Sequence, residues 1–199
     1  MFKLFSKMKV LLLHGYLQNG DIIHNTIQKL FSKTVLKQNN IELISPHGIY
    51  KIDENKFGWW KLESKEMFCQ PHNYENVEEA ISYIKNLNIS NIDVIIGFSQ
   101  GAVFTSILVG MKIFVPKLVI LMSGSDIMDS KYQKEIINIP SIHIVGKNDT
   151  LCYEKYSLDL AARYNKSLIQ LYHEHRWGHV IPSTGELRSI LLNYLKQYM

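Results

Sequence analysis

Ile96 to Ala102 reads IGFSQGA, directly after the apolar run NIDVI (residues 91–95) and directly before the apolar, period-rich stretch QGAVFTSILVGM (residues 100–111). Gly97 and Gly101 stand two before and two after Ser99. Small residues at those places let a chain leave a strand and enter a helix through a sharp turn with the serine at its tip. The hydroxyl then stands above the sheet edge, and the first amides of the helix point at whatever negative charge develops beside it. A plain glycine-flanked turn with an incidental serine fits the pentapeptide equally well. The neighbouring sequence has to separate the two readings.

Outward from that turn, short β-branched and apolar runs recur: VLLL at Val10, IELI at Ile41, IDVII at Ile92, LVILM at Leu118, SIHIV at Ser141 and LIQLY at Leu168. Most are uninterrupted rather than alternating, the pattern of strands covered on both faces, as in a parallel sheet. Between them lie helical periods. Ile23, Ile27, Leu30, Phe31 and Thr34 mark one face, Val77, Ala80, Ile81, Ile84 and Leu87 a second, and Leu187, Ile190, Leu191, Tyr194 and Tyr198 a third. Asn76 with Glu79, and Ser183 with Glu186, have the spacing of capping boxes. Strand and helix therefore alternate along the chain. This predicts a three-layer α/β fold whose mostly parallel central sheet of about six strands is flanked by helices.

A chain of 199 residues, 46% hydrophobic and 20% charged, suits one domain over residues 1–199. Residues 46–73, PHGIYKIDENKFGWWKLESKEMFCQPHN, break the rhythm and predict a long, aromatic-rich excursion from the sheet. The net charge of +4 is spread through scattered lysines, so nucleic acid is not an expected partner. Cys69 and Cys152 make neither a zinc spacing nor a disulfide framework, which suits a reducing, cytoplasmic setting. The apolar run at Val10 is too short for a signal peptide, and no run reaches the length of a membrane span.

A serine hydroxyl is a weak nucleophile near neutral pH; it needs a base in hydrogen-bond reach and an acid to orient that base. Asp149 follows SIHIVGKN, and His179 lies in HRWGHVIPSTGE between the last strand and the last helix. The order Ser99, Asp149, His179, each after a strand, matches the order this architecture uses. Asp126, in SGSDIM after the preceding strand, is the rival acid. Oxyanion donors are expected from the amide after the serine, Gln100, and from the loop after the first strand in LLLHGYLQNG, where Tyr16 offers its amide.

His173 and His175 could face a metal together, but Glu174 points to the other side of a strand, so no metal site is expected. Gly97 and Gly101 do not fit a dinucleotide fingerprint, and Gly146-Lys147 lacks the rest of a phosphate loop; no cofactor is expected. Phe57, Trp59 and Trp60 either cover the sheet edge or line an apolar slot beside Ser99.

Six ordered blocks, LLLHGYLQNG, GWW, YENVEEAISYIK, IIGFSQGA, PSIHIVGKNDT and GHVIP, resemble the FSH family of serine hydrolases. That family is a compact branch of the α/β-hydrolase superfamily, related to carboxylesterases and acyl-protein thioesterases. The resemblance spans nearly all of the chain. It implies esterase activity on an acyl ester, with Ser99 as nucleophile, Asp149 as acid, His179 as base, and the Tyr16 and Gln100 amides as oxyanion hole. A thioesterase, or a non-catalytic small-ligand-binding protein on the same fold, are the alternatives. The segment LCYEKY after GKNDT departs from the family, and the excursion around Trp59 and Trp60 matches only loosely, which leaves substrate choice to that excursion.

Overall fold

Six parallel strands form one sheet: β1 (Met8–Leu13), β2 (Ile41–Ile44), β5 (Val94–Phe98), β6 (Leu118–Met122), β7 (Ser141–Gly146) and β8 (Ile169–His175), in the order β2-β1-β5-β6-β7-β8. The computed structural model describes residues 7–62, 74–87, 89–133 and 136–199. Cys69, His72 and the last part of the 46–73 excursion lie outside the described residues, as does the side chain of His173.

All six expected runs become strands of this sheet, and every residue of β5, β6 and β7 is buried. Both faces are covered, and the period of two divides the strand residues between two cores. Leu11, Leu13, Ile95, Val119 and Leu121 face one layer, where Val77, Ala80 and Ile84 of α3 (Val77–Asn86) and Ala102 to Val109 of α4 (Gln100–Gly110) meet them. Val10, Leu12, Ile96, Ile120 and Ile144 face the other. There Ile23, Ile27 and Leu30 of α1 (Gly20–Phe31) and Leu187, Leu191 and Leu195 of α6 (Gly185–Lys196) close the core. Truncating any one of these, Leu12→Ala for example, removes a methyl-filled volume worth about 2–5 kcal/mol.

Local details differ from the expectation. The first helix stops at Phe31, because Ser32 takes φ 68° and caps a second helix, α2 (Lys33–Gln38), by accepting from the Val35 amide; Thr34 is exposed, not part of the buried face. Asn76 also sits at positive φ, 61°, and that turn aims its side chain away from the first amides, so it makes no side-chain cap. The Glu79 carboxylate accepts the Tyr50 hydroxyl at 2.6 Å instead of closing a capping box. Thr184 rather than Ser183 caps α6, its hydroxyl accepting from the Leu187 amide at 3.1 Å.

The excursion holds an antiparallel hairpin, β3 (Tyr50–Asp53) and β4 (Lys56–Gly58), turned at Asn55 with φ 57°. Two backbone bonds, Leu17 N–H to Phe57 O at 2.9 Å and Phe57 N–H to Gln18 O at 2.8 Å, fasten it to the loop after β1. Among the described residues one further α-helix, α5 (Glu154–Ala161), follows the loop that carries Asp149.

Candidate active site

The chain leaves β5 and enters α4 through Ser99 alone, which takes φ 54° and ψ −121°. Few non-glycine residues adopt that region, and the strain is held because both neighbours of the turn are packed too tightly to relax. A Cβ on Gly97 would stand 2.5 Å from Gly101 O and 2.6 Å from Thr105 Oγ1, and one on Gly101 would overlap the Leu13 carbonyl. Each glycine is therefore required by close approach of backbone, and together they push the Ser99 side chain up above the sheet.

Ser99 Oγ lies 2.8 Å from His179 Nε2, and His179 Nδ1 lies 2.7 Å from Asp149 Oδ2. Asp149 is 2% exposed, and its other oxygen accepts the amides of Leu151 at 2.9 Å and Cys152 at 2.8 Å. Burial pushes this carboxyl up, but the bonds from His179 and from the Cys152 and Leu151 amides outweigh it and hold the group below the usual carboxylate range. An ionised carboxylate only accepts, so a neutral His179 carries its proton on Nδ1 and leaves Nε2 free to accept the Ser99 hydroxyl proton.

The loop bearing His179 is laid onto the loop after β7. Lys147 N–H donates to His175 O at 2.7 Å, and a Cβ on Gly146 would meet Trp177 O at 2.7 Å and Gly178 O at 2.9 Å. The His179 ring rests against Phe98, the residue before the serine, with ring centres 5.0 Å apart.

Asp126 is engaged elsewhere. Arg163 reaches it from Nε at 2.7 Å and from Nη2 at 2.6 Å, and the Ile127 amide donates to it at 2.7 Å.

The expected anion donors are open. Among the described residues no hydrogen bond uses the amide of Tyr16 or of Gln100. Gly15 lies against the serine: a Cβ there would come 3.1 Å from both Ser99 Cβ and Phe98 Cδ1. Glycine thus lets the loop after β1 lie directly against the turn that carries Ser99.

Trp59 and Trp60 are not solvent-open walls. They are 0% and 1% exposed and stack into the core, Trp59 on Phe104 with ring centres 4.9 Å apart and Trp60 on Tyr74 at 4.5 Å. Burial of two large indoles outweighs any role at the surface, and Trp59 also donates its Nε1–H to His14 O at 2.9 Å. Phe57 is partly buried, its ring centre 5.3 Å from that of His47.

The side chain of Gln100 is a feature that motif reading passes over. It is fully buried, accepts the Trp59 amide at 2.9 Å and donates to Trp60 O at 3.0 Å, so it clamps the excursion to the start of α4. The only sequence signal is a glutamine where an apolar residue would otherwise pack.

Glu174 pairs with Lys147 at 2.5 Å, and His175 Nδ1 accepts the Trp177 amide at 3.2 Å. Among the described residues no three His, Cys, Asp or Glu side chains gather as a metal-holding group, and no helix is long and apolar enough to cross a membrane.

A sequence profile described as "Serine hydrolase (FSH1)" matches residues 3–190. The zebrafish (Danio rerio) protein named esterase OVCA2 is 27% identical, over 96% of this chain and 97% of its own. The Drosophila melanogaster protein named esterase CG5412 is 26% identical, over 96% of this chain and 74% of its own. Among solved structures, that of esterase PE8 superposes with a TM-score of 0.71 at 19% identity, covering 98% of this chain and 94% of the other, a likeness of fold.

Proposed function

We propose that this chain, which belongs to the FSH1 family of serine hydrolases, cleaves a carboxylic ester of an apolar acyl group through an acyl-enzyme on Ser99. The observation that carries the reading is the unbroken hydrogen-bonded path from Ser99 Oγ through His179 to Asp149.

In this mechanism Ser99 Oγ attacks the carbonyl carbon while His179 Nε2 takes its proton. The carbonyl oxygen becomes an oxyanion and receives N–H bonds from Tyr16 and Gln100, the second at the positive end of α4. The tetrahedral intermediate collapses, the C–O bond to the alcohol breaks, and His179 Nε2–H protonates the departing oxygen. Water then enters, gives a proton to His179 and attacks the acyl carbon. Collapse of this second intermediate releases the carboxylic acid and returns the proton to Ser99.

Asp149 keeps the imidazole in the required tautomer and stabilises the imidazolium that forms between steps. The loops carrying Asp149 and His179 also present Leu151, Trp177 and Val180, exposed by 52%, 38% and 45%. Apolar side chains flanking the base and acid suit an acyl chain leaving the reacting carbonyl, and this supports an apolar acyl substrate.

The test is fluorophosphonate labelling followed by peptide mapping, with p-nitrophenyl esters of increasing chain length assayed in parallel. Labelling of Ser99 that disappears in His179→Ala, and turnover that disappears in Ser99→Ala while the melting temperature holds, are the expected results. A folded protein that neither labels nor turns over any of these esters rejects the reading and leaves the fold as a ligand-binding protein.

A further inference from the structure

The loop after β1 and the distant excursion meet on one buried ring. His14 is 0% exposed; its Nδ1 lies 2.8 Å from Gly15 O, and its Nε2 accepts the Gly48 amide at 2.7 Å. Gly15 O can only accept, and the Gly48 N–H can only donate, so the ring must be neutral with its proton on Nδ1. We propose that His14 is a positioning residue that couples the excursion at Gly48 to the Tyr16 amide and so aims that amide at the oxyanion. The inference rests on the ester-hydrolase reading of Ser99.

The geometry of the peptide unit makes the link. Gly15 C=O and Tyr16 N–H belong to one peptide, and no cis bond is present among the described residues, so the two groups point in opposite directions. Holding the carbonyl therefore sets the direction of the amide. Two donors hold it, His14 Nδ1–H at 2.8 Å and the Gln18 amide at 3.1 Å, while Gln18 Oε1 accepts the Gly15 amide at 3.1 Å.

The ring is fixed from its far side too. Gly48 approaches Gly58 so closely that a Cβ on it would stand 2.5 Å from Gly58 O, so only glycine fits where the N–H reaches the ring. Trp59 packs against the His14 ring, tilted by 32° with ring centres 5.0 Å apart, and donates to His14 O. Burial drives the His14 pKa down to about 4, which keeps the ring neutral at working pH. The excursion thus reaches the Gly15–Tyr16 peptide through the buried His14 ring.

The experiment compares wild type, His14→Phe, His14→Asn and Gly48→Ala with p-nitrophenyl acetate and an alkyl trifluoromethyl ketone, an inhibitor that Ser99 converts into an oxyanion. His14→Phe keeps an aromatic ring against Trp59 but loses both polar bonds; kcat should fall by about 100-fold, the size expected for one misdirected oxyanion donor, with KM within about 3-fold. Ketone affinity should fall in step with kcat/KM. His14→Asn, which keeps a donor near the Nδ1 position, should recover about 10-fold of the kcat lost in His14→Phe. Gly48→Ala, 34 residues away from the ring it donates to, should show the same kcat-selective defect.

Unchanged kcat in both folded His14 variants overturns the inference, as does a loss of kcat with ketone affinity intact. If His14→Phe does not fold, His14→Asn and Gly48→Ala carry the same comparison. Wild type that fails to label at Ser99 or to turn over the ester rejects the hydrolase reading itself, and the inference falls with it.

Discussion

Arg163 grips Asp126, the other candidate acid, with two nitrogens of one guanidinium, at 2.7 and 2.6 Å. Asp149 instead spends one oxygen on two backbone amides and turns the other to the imidazole. Asp149→Asn should lower kcat by about 10⁴-fold by favouring the wrong imidazole tautomer, whereas Asp126→Asn should leave kcat within a few-fold and lower stability instead. Steady-state kinetics on the two variants checks the pair; the opposite ranking would move the acid role to Asp126.

Gly101 packs its α-carbon onto the Leu13 carbonyl with no room for a methyl group. Gly101→Ala must either displace β1 from the start of α4 or distort the turn at Ser99, at a cost above about 4 kcal/mol, in the range of exceptional single substitutions. Chemical denaturation is the measurement. A midpoint close to that of wild type would contradict the close approach.

Gln100→Leu keeps the volume of the buried clamp but strips both bonds, leaving the Trp59 N–H and the Trp60 carbonyl without their partners. The expected penalty is about 3 kcal/mol, or a Tm lowered by about 10 °C for a chain of this size. Differential scanning calorimetry reads it.

Two buried histidines make stability fall with acid. Burial lowers both His14 and His143 from 6.5 to about 4. In the unfolded chain they take protons as pH drops through 6.5, while the folded state resists until about 4, so stability is lost across that window and not above it. Each contributes a loss of about 2 kcal/mol between pH 7 and pH 5. Urea midpoints at these two pH values should differ accordingly, and His143→Gln should remove about half of the difference. Equal midpoints would mean that neither ring is protected.

The sheet could be read from the sequence because its central strands β5, β6 and β7 are buried throughout: six short apolar runs, most of them uninterrupted, correspond to six strands. The hairpin could not, since YKID and KFG are short, half-exposed and studded with charge, and their register is held by the loop at Leu17 and Gln18. Helix ends were read one position off or without their backbone context, because Asn76 and Ser32 adopt positive φ that capping patterns do not encode. At the site, chain order points to Ser99, Asp149 and His179 as loop residues after β5, β7 and β8. The engagement of Asp126 depends on Arg163, 37 residues further on, and nothing near Asp126 signals it. Likewise the partners of His14 and Gln100 lie 34 and 41 residues away, so the neighbouring sequence does not show what either side chain clamps.

Helix α4 is buried along Gln100 to Val109 and carries no acidic residue in its first turn and no basic residue in its last. The sides of such a helix are shielded from dissolved ions, so its positive end should act on the space beside Ser99 with little screening. Turnover of an uncharged ester should then be nearly flat with ionic strength. The exposed lysine–carboxylate pairs elsewhere, Lys117 with Asp93 for example, will weaken over the same salt range. The chemistry proposed at Ser99 should therefore respond to salt far less than the surface ion pairs do.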